Sequence, residues 1–167
     1  MTSLRIKKIV SGGQTGVDRA ALDVAITLEV PHGGWCPKGR KAEDGKIADR
    51  YQLKETPTDV YDERTTWNVR DSDGTLIIIK EPAMGGTLLT IEVAKQFNKP
   101  YLVYDLSAKP DIDKIVDWIN ENAIQTLNVA GPRQSQSENI YQIAYDIMQQ
   151  LLAHPQLQEF TGLRARL

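Results

Sequence analysis

Short β-branched runs alternate with segments of helical period along this chain, and glycine-rich turns mark several of the joins. Few folds accommodate that rhythm. Arg5 to Val10 reads as a strand, and Ser11-Gly12-Gly13 closes it. Val17, Ala20, Ala21, Val24, Ala25 and Leu28 then recur at the spacing of one helix face. Thr75 to Ile79 is a near-continuous apolar run, as expected of a parallel strand covered on both sides. Gly85-Gly86-Thr87 opens the next helix, which Asn98-Lys99-Pro100 ends. A strand over 101–104, a helix over 111–122, a strand over 127–130 and a helix over 140–152 follow, with His154-Pro155 as the stop before a tail ending Arg164-Ala-Arg166-Leu167. Tyr61 to Val69 is a further short helix. Strands alternating with helices predict an α/β, Rossmann-like, doubly wound and mainly parallel sheet with helices on both faces. Residues 1–167 form one such ligand-binding domain, without repeat or linker. Segment 30–47, with four glycines and two prolines, reads as a short strand and a long surface loop, a feature that needs a function to justify it.

Composition narrows the function. Twenty basic and 22 acidic side chains leave a formal charge of −2, unlike a general polyanion binder, so nucleic acid is not expected as a partner. No apolar stretch approaches the roughly 20 residues that span a bilayer. The first eight residues run into a strand without a long apolar signal core, so a cytoplasmic location is expected. One cysteine, Cys36, allows no internal disulfide, and with only His32 and His154 there is no Cys/His metal set or nucleophilic triad. Metal-ligating and catalytic residues are therefore assigned to none. Glycines, backbone amides, hydroxyls, arginines and carboxylates remain.

In an open α/β sheet, ligands bind outside the carboxyl ends of the strands. Three glycine-bearing turns fall there: Ser11 to Gly16, Ala83 to Thr87, and Ala130 to Ser135. Glycine admits close backbone approach, and the following helix start favours an anion such as a phosphate. The first turn is neither a Walker A loop nor Gly-x-Gly-x-x-Gly, which argues against a nicotinamide or flavin. Candidate binding residues are Gly12, Gly13, Gln14, Thr15, Gly16, Asp18 and Arg19 of the first region, and Lys38 and Arg40 of the long loop. Arg64, Thr65 and Asn68 of the short helix join them, with Gly85, Gly86, Thr87, Gly131 and Arg133. Arginine grips phosphate or carboxylate through paired charge-assisted hydrogen bonds. Lys41 and Lys46 read as solvated charges. Asp71-Ser72-Asp73-Gly74 is either a metal or ribose ligand or, more simply, a side-chain-stabilised turn. Cys36 reads as a small thiol packed in the loop. A Gly13→Val change is expected to obstruct the ligand more than the fold.

These blocks together resemble the molybdenum carrier proteins, also called molybdenum cofactor carrier proteins. The resemblance rests on Ser11 to Asp23, Gly33 to Gly45, Arg64-Thr65 with Asn68-Val69, Asp71 to Ile77, Gly85-Gly86-Thr87 and Gly131-Pro132-Arg133, and runs from about residue 6 to 150. It implies a circularly permuted arrangement of the Lonely-Guy and lysine-decarboxylase-like Rossmann fold. It also implies a homo-oligomer, a tetramer, and a non-enzymatic carrier of molybdenum cofactor (Mo-molybdopterin), a phosphate-bearing pterin delivered to apo-molybdoenzymes. Arginines and backbone amides would neutralise the ligand's charge while its reactive end is buried. Some fold relatives are phosphoribohydrolases, with a Gly-Gly-x-Gly-Thr-x-x-Glu loop. Here that loop reads Gly85-Gly86-Thr87-Leu88-Leu89-Thr90-Ile91-Glu92, so Glu92 falls out of register and is expected on the solvent side. The rival readings are a nucleotide monophosphate-binding protein or hydrolase using Glu92, Asp18 or Asp73, and a nucleotide-sensing module.

Overall fold

The structure is a computed structural model that describes residues 2–160. Its elements, in order, are β1 (Thr2–Leu4), β2 (Lys8–Val10), α1 (Val17–Thr27), β3 (His32–Gly33), β4 (Trp35–Cys36), β5 (Lys41–Ala42), β6 (Gly45–Lys46) and β7 (Lys54–Glu55). They continue with α2 (Tyr61–Arg70), β8 (Gly74–Ile79), α3 (Gly85–Gln96), β9 (Tyr101–Asp105), α4 (Ile112–Glu121), β10 (Thr126–Ala130), α5 (Ile140–Leu152) and β11 (Gln158–Phe160). Five strands form the central sheet in the order β3-β2-β10-β8-β9, every pair parallel. From β2 the chain crosses through α1 to one edge, and from β8 it crosses through α3 to the other. The two crossovers diverge on either side of β10. This is the topological switch point at which α/β sheets form a crevice.

Helices cover both faces. α1, α4 and α5 bury Val17, Ala21, Val24, Ile115, Ile119, Ala144 and Met148 against Ile9, Leu76, Ile78, Leu127 and Val129 of the sheet. α2 and α3 pack on each other through Val69, Val93 and Ala94, with Leu89 and Tyr101 beside them. All six residues of β8 are buried, as the unbroken apolar run requires. α4 begins where Asp111 accepts a hydrogen bond from the Lys114 amide, and its buried Ile115, Val116 and Ile119 fall on one face. Each such side chain contributes about 1.5–3 kcal/mol by leaving water.

The structure departs from the sequence reading at three places. The first central strand starts at Lys8 rather than Arg5, because Arg5 turns to donate its amide to Leu157 O at 2.8 Å. β1 and β11 form an antiparallel pair that the sequence reading did not anticipate. Segment 30–47 is more built than a surface loop: β4 pairs with β7, β5 pairs with β6, and Cys36, Ala42, Ile47 and Tyr51 form a small core on Leu22 of α1. Asp23 of α1 locks that layer in place, accepting from the Tyr51 hydroxyl at 2.6 Å and the Tyr141 hydroxyl at 2.5 Å. Burial and the Asp23 contact push the Tyr51 hydroxyl up to about 12. No helix among the described residues is long and apolar enough to cross a membrane. The tail ending Arg164-Ala-Arg166-Leu167 lies outside the described residues.

Candidate functional site

The turns after β2, β8 and β10 meet at the carboxyl edge of the sheet and, with α2, enclose an open cleft of about 220 Å³. Eleven of the sequence-derived candidates line it: Gly12, Gln14, Asp18, Arg64, Thr65, Asn68, Gly85, Gly86, Thr87, Gly131 and Arg133. Tyr61, Asp62, Thr90, Asn128 and Gln136 also line it and were missed. Two of these carried a signal. Thr90 lies one helical turn beyond Thr87 on the same face, and Asn128 is an amide in the middle of an apolar strand.

Gly13, Thr15, Gly16, Arg19, Lys38 and Arg40 are outside the lining. Each has another occupation, or none. Arg40 donates to four carbonyls, those of Ile47 at 3.0 Å, Ala48 at 2.8 Å, Tyr51 at 2.8 Å and Leu53 at 3.4 Å. It therefore organises the segment after β4 instead of facing a ligand. Arg19 makes a two-pronged pair with Asp44, at 2.5 and 2.9 Å, and donates to Gly13 O at 3.2 Å. Thr15 donates to Glu43. Lys38 is exposed. A side chain on Gly13 would meet Leu53 Cδ1 at 2.7 Å and Ile47 Cδ1 at 3.0 Å, and one on Gly16 would meet Pro132 O at 2.5 Å. These glycines let protein pack on protein, so the expected separation of ligand and folding effects at Gly13 does not hold.

Glu43, which the sequence reading passed over, ties the rim together. It accepts from the Thr15 hydroxyl, from the Ser135 hydroxyl at 2.5 Å and from the Ser135 amide at 3.2 Å, and its own amide donates to Gln14 Oε1 at 2.9 Å. Arg133 Nε lies 3.5 Å from its carboxylate. Desolvation works to raise the Glu43 carboxyl, but the Ser135 and Thr15 hydrogen bonds and the Arg133 charge together hold it below the usual range. Arg133 Nε is shielded from solvent and makes no hydrogen bond among the described residues.

The floor holds a second pair. Asp18 and Arg64 face each other at 3.6 Å, their side chains 9% and 12% exposed. Arg64 also donates to Gly12 O at 3.1 Å and Thr65 Oγ1 at 3.3 Å. A side chain on Gly12 would meet Arg64 Nη1 at 2.6 Å, so that glycine makes room for the guanidinium. Burial raises the Asp18 carboxyl above its ordinary range, opposed by the Arg64 charge and the Gln14 amide. Asn68 lines the cleft with its amide already engaged: it accepts from Trp35 N at 2.7 Å and donates to Trp35 O at 2.9 Å. Asp71 accepts from Trp35 Nε1 at 2.8 Å, and Asp73 accepts from the amides of Gln125 and Thr126 at 3.0 and 2.8 Å. Both serve the packing of turns. Cys36 is fully buried in the small core.

At Gly85 and Gly86 the space that a side chain would fill is empty, and Gly85 has φ +55°. α3 starts there without a side-chain cap; the Thr87 amide donates to Met84 O at 3.2 Å, and the amides of Gly85 and Gly86 are left to solvent or to a ligand. Glu92 is exposed and lies outside the cleft lining.

No curated protein of known function matches the chain. Among solved structures, the crystal structure of a protein named "Putative molybdenum carrier protein", from Syntrophus aciditrophicus SB, is 48% identical, with a TM-score of 0.85 over 90% of this chain and 97% of that one. The family model for the circularly permutated YpsA SLOG family matches residues 9–152, and the chain belongs to that family.

Proposed function

We propose that this protein binds molybdenum cofactor by its phosphate-bearing pterin and carries it, without turnover, to an accepting enzyme. The observation that carries the reading is the start of α3, where Gly85 and Gly86 leave open space on a cleft at the switch point of the sheet. A phosphate placed there would take hydrogen bonds from the Gly85 and Gly86 amides and the Thr87 hydroxyl, and the helix dipole would favour it. Arg133, whose shielded Nε makes no hydrogen bond among the described residues though it lies 3.5 Å from the Glu43 carboxylate, supplies a guanidinium on the opposite rim. Among the described residues the cleft lining offers hydroxyls, amides, carboxylates and guanidinium groups and no cysteine or histidine, so the metal would keep its own dithiolene sulfurs while the protein holds the organic part. The name of the Syntrophus relative supports a molybdenum-related cargo. Action as a homotetramer in the cytoplasm belongs to this proposal too.

The hydrolase reading has less support: of its candidate groups Glu92 and Asp73 sit outside the cleft, and Asp18, which lines it, is paired with Arg64. Protein purified without oxygen from a cofactor-making host should retain molybdenum, phosphate and oxidisable pterin in equal amounts. Adenosine, guanosine, cytidine and uridine monophosphates should release no base above the buffer rate. Absence of pterin from the purified protein, or turnover that disappears in Glu92→Ala, would overturn the carrier reading.

A further inference from the structure

A carboxylate is an unfavourable group to leave in a cleft meant only for an anion. Asp18 sits there regardless, with its side chain 9% exposed. Its contacts to the Gln14 amide, at 3.2 Å, and to Arg64 Nη1, at 3.6 Å, both run through Oδ2. The neighbouring Ser11 hydroxyl has one proton, and it donates that proton to Val129 O at 2.7 Å. No hydrogen bond among the described residues ends on Oδ1. The floor therefore presents a carboxylate oxygen able to accept beside a guanidinium able to donate, both held by backbone contacts. Arg64 is fixed by Gly12 O and Thr65 Oγ1. A phosphate would meet the Asp18 charge here and be repelled, so the anionic end of a ligand belongs elsewhere in the cleft.

We infer that Asp18 and Arg64 read the ring of the ligand, selecting a cyclic amide with an adjacent exocyclic amine. Such an edge offers neighbouring N–H donors to the carboxylate and a ring carbonyl to the guanidinium. The 2-amino-4-oxo edge of a pterin has this pattern, and so does the corresponding edge of guanine. A 2,4-dioxo ring sets a second oxygen against the carboxylate, and adenine sets a ring lone pair there. Asn128 adds polarity on β10: its amide nitrogen donates to Thr75 Oγ1 at 3.2 Å, leaving its oxygen as a further acceptor for the ring amine. The inference rests on the proposed binding of a phosphate-bearing pterin and specifies how that ligand is recognised and which way round it lies.

The test is calorimetric titration of the full chain with four probes: 6-hydroxymethylpterin phosphate, its 2,4-dioxo (lumazine) counterpart, guanosine monophosphate and adenosine monophosphate. The first pair share phosphate and ring size and differ in the amine. The amino compound should bind at least about tenfold more tightly, the worth of a hydrogen bond to a charged group. Asp18→Asn should abolish that preference by weakening the amino compound alone. Guanosine monophosphate binding as tightly as the pterin would assign the same edge to a nucleotide and keep the Asp18 role. Equal affinity of wild type for pterin and lumazine phosphates would overturn the inference and leave the phosphate cradle standing. Failure of both to bind would overturn the proposed function as well. The wild-type comparison needs no variant, so it decides the matter even if Asp18→Asn does not fold.

Discussion

The loop after β2 and the loop after β8 share a sequence style, a Gly-Gly pair leading to a helix, and they use it in opposite ways. In the first, every glycine is crowded by the protein itself: Gly12 by Arg64, Gly13 by Leu53 and Ile47, Gly16 by the backbone of Pro132 and Gln134. In the second, Gly85 and Gly86 have nothing within 4 Å of the place a side chain would occupy. A missing Cβ can thus serve close packing between loops or close approach of a ligand. The neighbouring atoms decide which, and they come from residues far away in sequence.

The crowding of the first loop should be felt most strongly at Gly13. Its φ of +80° is unfavourable for a β-branched residue, and the added carbons would press on Leu53 and Ile47. Strain and overpacking together should remove about 3 kcal/mol of stability. For a chain of this size that is about 6–12 °C in melting temperature. Thermal unfolding of Gly13→Val followed by circular dichroism checks it. An unchanged midpoint would mean that the first loop is as open as the second.

Gly86→Ala makes the opposite claim with a smaller effect. Gly86 is helical and has free space, so alanine should stabilise the helix by up to about 1 kcal/mol. The methyl group should nonetheless stand where the phosphate approaches and weaken 6-hydroxymethylpterin phosphate by about tenfold, or 1.4 kcal/mol. Melting temperature and titration on the same preparation would show stability and affinity moving in opposite directions. Unchanged affinity would remove the start of α3 from the site.

Much of the fold was visible in periodicity. The spacing of apolar residues placed α1 and α5 within a residue of their ends, because their buried faces are long and regular. The short strand expected at the start of segment 30–47 is β3, but β4 to β7 were not readable: each is two residues long, too short for any period, and they stand where Cys36, Ala42, Ile47 and Tyr51 cover Leu22. At the site, residue types identified which turns would gather but not which groups would already be engaged. Arg40 and Arg64 look alike in sequence. The first is taken up by four carbonyls, and the second faces the cleft beside Asp18.

Glu43 binds the first loop to the turn after β10 through Thr15 and Ser135. Its carboxyl is held below its ordinary range by Ser135, Thr15 and Arg133 against the pull of desolvation. The folded form thus binds a proton less readily than the unfolded chain, and the sign follows. The stabilisation is present above the ordinary glutamate value of about 4.3 and is lost as pH falls through the lower folded value. Because its charge partner Arg133 is 39% exposed and the pair lies at the rim, it is worth no more than about 1 kcal/mol, or about 2–4 °C. Asp44 and Asp71 are also held low, by Arg19 and Arg70, and add their own acid-side loss. Comparing wild type with Glu43→Gln isolates this one contribution: the gap between their melting temperatures should be largest near neutrality and close below pH 4. A gap independent of pH would mean that Glu43 holds the loops by shape and not by charge.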